Sequence, residues 1–166
     1  MPRKLPRKRV TASQRGTAVH EAGHAVIGRV LRLPCGYATI VADHDSAGHA
    51  ITGDPWEIWE HWLDQYDKHR SMPVVLRARI IAFMAGAAAE KELLGSSRGS
   101  GEDNRQIAFM ADDIMDTFSD DWLRWEARMR RQTARLVRKH RDKIDRVVRA
   151  LLKRRTLQAH EIDALL

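Results

Sequence analysis

The residues of this chain best placed to do chemistry are two histidines four apart, with a glutamate directly after the first: His20-Glu21-Ala22-Gly23-His24. On a helix a spacing of four puts both imidazoles on one face, about one turn apart. Two ring nitrogens can then reach a single zinc ion at roughly 2.0–2.1 Å. Glu21, beside the first ligand, can stand next to the metal without binding it and take a proton from a water that the metal activates. Catalytic zinc takes three protein ligands and keeps one position open, so a further ligand must come from another part of the chain. Without one, the motif reads equally well as a histidine pair satisfied inside a helix.

Four residues compete for that role. Glu102 and Asp103 follow a loop rich in glycine and serine, Gly95 to Gly101, and open a helix. There the backbone amides and the helix dipole favour a carboxylate, although first-turn acids are also common without a metal. His44 and His49 lie in a segment of turn and strand chemistry, where histidines are more often simply exposed. The residues themselves leave the choice open.

The elements that must position these groups follow from periodicity and punctuation. Thr11 with Gln14 has the form of a capping box. A first helix is expected from Ser13 to Leu31, with Val19, Ala22, Val26 and Val30 at helical spacing and Pro34 and Gly36 closing it. Tyr37–Val41 and His49–Thr52 are β-prone and flank turn residues, which predicts a small hairpin beside the histidine helix. A strand edge there could grip an extended peptide by strand addition. Asp54-Pro55-Trp56-Glu57 reads as a helix start, and Trp56, Trp59 and Trp62 as a packing stripe. Met72-Pro73 breaks that helix, and Val74 to Leu94 forms a helix apolar on most sides and hence buried. A further helix runs from Glu102 to about Phe118. Ser119 caps a long basic helix or helix pair reaching Arg155, Thr156-Leu157 is a joint, and the chain ends in a short amphipathic helix. The expected fold is mainly α: a multi-helix domain over residues 13–166 with a small β-hairpin near the site, preceded by a basic disordered arm over residues 1–12.

Composition narrows the class. The chain has 166 residues, enough for one domain with a real core. Its one cysteine, Cys35, excludes an intramolecular disulfide and a four-cysteine zinc site, and fits a reducing, cytoplasmic compartment. The basic start, Arg3 to Arg9, is not followed by an apolar run of the secretory kind. The longest apolar run, Ile80 to Ala89, is too short to span a bilayer, so no membrane anchor is expected. The net charge of +7 is unevenly spread: residues 17–123 carry a net −8, and residues 124–155 a net +11. Such a basic helix can hold nucleic acid or an anionic surface, although a solvated face is the commoner explanation.

Several segments together resemble one family. Thr17-Ala18-Val19-His20-Glu21-Ala22-Gly23-His24-Ala25 resembles the zinc motif of the FtsH family of ATP-dependent zinc proteases. Gly86-Ala87-Ala88-Ala89-Glu90-Lys91-Glu92 resembles that family's Gly-Gly-Arg-Ala-Ala-Glu-Glu segment, and Ser100-Gly101-Glu102-Asp103 its Gly-Ala-x-Asn-Asp motif. Leu151-Leu152-Lys153-Arg154-Arg155-Thr156-Leu157 with Glu161-Ile162 is similar to the family's closing segment. The resemblance implies zinc held by His20, His24 and Asp103, with Glu21 as the base, in a metalloendopeptidase. Glu102 stands where the family has asparagine, and the loop before it is one residue shorter. The family's ATPase and transmembrane parts have no counterpart in these residues, and no Gly-x-x-x-x-Gly-Lys-Ser/Thr loop occurs. The expected substrate is therefore unfolded or flexible polypeptide, with room for a separate unfoldase or adaptor and for a homo-oligomer. Two other classes stay open: a zinc-stapled module that binds protein or nucleic acid through its basic helix, and a zinc hydrolase of a non-peptide bond.

Overall fold

The structure is a computed structural model, and it describes residues 10–42, 48–52, 60, 72–97, 101–115 and 121–166. Helix α1, Ala12–Val30, begins at the expected capping box: Thr11 Oγ1 accepts the Gln14 N–H at 3.1 Å, and Gln14 Oε1 accepts the Thr11 N–H at 3.0 Å. Pro34 and Gly36 do not end it. Arg32 does, with φ of 61°, while Gly36 lies within a strand. The Leu33 N–H reaches the Gly28 carbonyl and the Arg32 N–H that of Arg29. These two bonds form a Schellman closure, which here holds a non-glycine residue in the left-handed region at a cost of about 1–2 kcal/mol.

The expected hairpin is present as β1, Cys35–Thr39, antiparallel to β2, His49–Thr52. The sheet has a further strand, β3, Thr156–Gln158, antiparallel to the other side of β1, so the order is β2-β1-β3. Thr156-Leu157, expected as a joint, is thus a strand. It opposes Thr39 and Ala38 and is fixed in part by a Thr39–Thr156 hydroxyl contact at 2.8 Å.

Helix α2, Met72–Leu94, includes Met72 and Pro73 in its first turn. Proline there sacrifices no intrahelical bond, so it is compatible with opening this helix; the end of the earlier helix that it is expected to break lies outside the described residues. Counted over its whole length, α2 is apolar enough to cross a membrane, which the run Ile80–Ala89 by itself is not; 56% of its most apolar window is buried inside the fold. Helix α3, Gly101–Met115, follows. The basic segment is a helix pair: α4, Trp122–Lys139, and α5, Arg141–Arg154, meet at His140. The cap of α4 is Asp121, whose carboxylate accepts the Leu123 N–H at 3.0 Å; Ser119 lies outside the described residues. A short helix α6, Ala159–Asp163, ends the chain.

Helix α1 is the centre of the packing. It lies against α2, α5 and the sheet, while α2 also packs on α4 and α3. Val26, Ile27, Ile80, Met129, Ile144, Leu151, Leu157 and Ile162 are fully buried in the shared core. α1 and α2 approach closely at Gly23, where a Cβ would stand 2.6 Å from the Ala85 carbonyl oxygen. The arm up to residue 9, the Asp54 helix start with its tryptophans, and His44 lie outside the described residues.

Candidate metal centre

The face of α1 that meets α2 carries His20 and His24. The spacing of four stacks the rings one turn apart with their planes at 82°, and their Nε2 atoms are 2.9 Å apart. The first turn of α3 brings Asp103 to the same point. Its Oδ2 lies 3.0 Å from His20 Nε2 and 3.4 Å from His24 Nε2. Each of the three residues thus offers one ligand atom, and all three atoms lie within 4.8 Å of one another.

Helix α2 fixes which nitrogens face inward. His20 Nδ1 is 2.6 Å from the Glu90 carboxylate, and His24 Nδ1 is 2.8 Å from the Ala82 carbonyl oxygen. Both partners are acceptors, so both Nδ1 atoms carry hydrogen. When both rings are neutral, the two Nε2 atoms then present lone pairs to each other and to a carboxylate oxygen. Three acceptors this close repel one another unless a cation stands among them. Without metal, a proton on His20 Nε2, 3.0 Å from Asp103 Oδ2, answers that demand, so proton and metal ion compete for one place.

The site's titration carries the same imprint. Burial lowers the His20 pKa, but the hydrogen bond to Asp103, the charges of Glu21 and Asp103 and the hydrogen bond to Glu90 outweigh it and raise the value to about 9. Burial raises the Asp103 carboxyl, and the contacts with His20 and His24 overcome this and hold it well below the usual carboxylate range.

No protein-family model matches the chain, and a search of the curated proteins finds no match. The donor set must therefore speak for itself. Two imidazole nitrogens and one carboxylate oxygen are a donor set that can hold a divalent metal ion. Ligands on a tetrahedral zinc stand about 3.3 Å apart, and the observed 2.9, 3.0 and 3.4 Å lie close to that spacing. Gly86 of α2 leaves the space: a Cβ there would come within 2.5 Å of His24 Nε2 and 2.8 Å of His20 Nε2. These residues fit a metal ion.

Glu21 is buried on α1, and the backbone at Gly48, just before β2, packs against it, since a Cβ at Gly48 would meet Glu21 Cγ at 3.1 Å. The structure also separates the rival acids. Glu102 points outward, pairs with Arg105 at 2.9 Å and accepts from Gln106; Asp103 is the one turned inward. The side chain of His49 lies outside the described residues, as does all of His44. Glu90 was not expected to act at the site. Its signal in the sequence is a carboxylate set in the alanine run of an otherwise apolar helix, where burial requires a partner.

Proposed function

We propose that the chain is a zinc-dependent metallopeptidase of the FtsH type that hydrolyses peptide bonds in unfolded or flexible polypeptide. The observation that carries this reading is the convergence of three lone-pair atoms, His20 Nε2, His24 Nε2 and Asp103 Oδ2, on one point beside a buried glutamate. Zinc bound there would activate a water and polarise the scissile carbonyl. The chain's own residues do the rest. Glu90 and the Ala82 carbonyl hold the imidazoles in the tautomer that offers Nε2 inward. Glu21 takes the proton of the attacking water and returns it to the leaving amine. β2, at the edge of the sheet and next to Gly48, offers backbone groups along which an extended substrate can lie. A folded substrate would need an unfoldase or adaptor to feed it, and these 166 residues hold no phosphate-binding loop of the Gly-x-x-x-x-Gly-Lys type.

Metal analysis combined with casein cleavage tests this directly. The wild type should carry one zinc per chain and cleave casein; Glu21→Gln should keep the metal and lose activity by about 10²–10⁴-fold, the usual weight of a general base. Equal cleavage by both proteins sinks Glu21 as the base. Stoichiometric zinc with no cleavage by either would favour a zinc-stapled interaction module, a reading supported by the cationic outer face of α4.

A further inference from the structure

Helix α4 buries one side and leaves the other purely cationic. Met129, Thr133 and Val137 are fully buried against the core. Opposite them stand Arg124, Arg128, Arg131, Arg135, Arg138 and Lys139, all exposed. From Arg124 to Arg138 the spacings of three and four, with Lys139 four after Arg135, keep them on one stripe about 22 Å long at 1.5 Å per residue. The only acid in α4, Glu126, is half-buried on the side away from the stripe and is taken by Arg130 at 2.6 Å. At the ends of the stripe, Arg124 lies 3.4 Å from Asp121 and Arg138 3.9 Å from Glu92. Arg128, Arg131, Arg135 and Lys139 make no ion pair among the described residues.

Six cations on one stripe repel one another, and a solvated face tolerates this only through salt screening. We infer that the outer face of α4 is a docking surface for the phosphate backbone of double-helical nucleic acid. Five of the six cations are arginines, whose planar fork suits two phosphate oxygens at once. A strand advances about 3.4 Å per phosphate along the duplex axis, so a stripe of about 22 Å faces about six phosphates. A bilayer fits less well. Insertion of an amphipathic helix needs a free apolar face, and that face of α4 is already spent in the core. The contacts are to phosphate and ribose alone, so binding is without sequence preference. This inference does not depend on the metal centre.

The test is fluorescence anisotropy of the full chain with labelled 20-bp duplexes of arbitrary sequence, one DNA and one RNA. Four phosphate contacts imply an affinity loss of about 150-fold between 50 and 200 mM salt, and six contacts more. The triple variant Arg128→Ala, Arg131→Ala, Arg135→Ala should flatten the slope of log affinity against log salt by about 2.7 and bind at least tenfold more weakly at 50 mM, with its helical circular dichroism unchanged. The matching triple change to lysine, which keeps the charge, should retain the slope and so controls for folding. Binding to either duplex with these slopes supports the inference, and the stronger arm identifies the source of the phosphates. Absence of binding to both duplexes at 50 mM salt overturns it. So does an alanine variant with an unaltered slope, which would move the binding to the basic residues 1–9, and so does tighter binding to vesicles of 30% phosphatidylserine than to duplex.

Discussion

Metal affinity at the His20–His24–Asp103 centre should rise about tenfold per pH unit up to about pH 9 and then level off. The reason is competition for one atom: His20 Nε2 holds either a proton or a metal ion. Burial lowers the pKa of His20, but Asp103, Glu21 and Glu90 outweigh it and raise the value to about 9. The apparent affinity is then about 100-fold below its limit at pH 7 and about 1000-fold below it at pH 6, and one proton leaves per ion bound. Zinc competition against a chelating indicator from pH 6 to 9.5 measures the slope, and calorimetry in two buffers of different ionisation enthalpy counts the proton. The same shift acts on folding without metal. The folded pKa lies above the ordinary 6.5, so the contribution of His20 is fully present below pH 6.5 and is lost as pH rises through about 9. It amounts to about 3 kcal/mol. Asp103, shifted downward, works in the opposite sense: its contribution is present above its ordinary 3.8 and is lost as pH falls below that. Saturating zinc should abolish the alkaline loss. An affinity that stays flat between pH 7 and 9 would refute the reasoning, because it would mean that His20 carries no proton for the metal to displace.

Two substitutions probe the surroundings of the ligands. Gly86→Ala puts a methyl 2.5 Å from His24 Nε2, into the space between the rings. Bound zinc should drop to a small fraction of one per chain, and the melting temperature without metal should hold or fall, since overlap with two hydrogen-bonded rings costs about 1–3 kcal/mol against the roughly 1 kcal/mol that alanine gains over glycine in a helix; full zinc content by metal analysis would show that the ion sits elsewhere. Glu90→Gln replaces the carboxylate that takes the His20 Nδ1 hydrogen at 2.6 Å. It should weaken zinc by about 10–100-fold in the same competition assay, and an unchanged affinity would remove Glu90 from the site.

What was legible in the sequence is what short-range chemistry determines. The capping box at Thr11, the amphipathic run of α1 and the apolar α2 each follow from neighbours three and four residues apart. The misread boundaries have a common cause, since each depends on something outside that range. Arg32 ends α1 because Leu33 and Arg32 can turn back onto Gly28 and Arg29 and Leu33 can enter the core, a gain that outweighs the left-handed strain; glycine at 36 looked the better stop by propensity alone. Pro73 sits in the first turn of α2, a place that its own preferences allow as readily as the end of a helix. β3 has three residues and no period to detect. It exists because Thr39 and Ala38, 117 and 119 residues earlier, supply its partner strand.

The metal centre divides along the same line. His20 and His24 share a turn of one helix, so their juxtaposition is guaranteed wherever α1 forms. Asp103 and Glu102 are neighbours in the first turn of α3, and successive residues on a helix point about 100° apart. Nothing local decides which of them faces inward. The docking of α3 on α2 decides it, turning Asp103 toward the histidines and leaving Glu102 to Arg105. Glu90 is a stronger case. Its carboxylate has meaning only because Gly23 and the alanines at 85 and 89 let α1 and α2 approach closely enough for His20 Nδ1 to reach it. The small residues that looked like simple helix packing are therefore part of the site's chemistry: they set the distance at which a buried acid on one helix can choose the tautomer of a ligand on another.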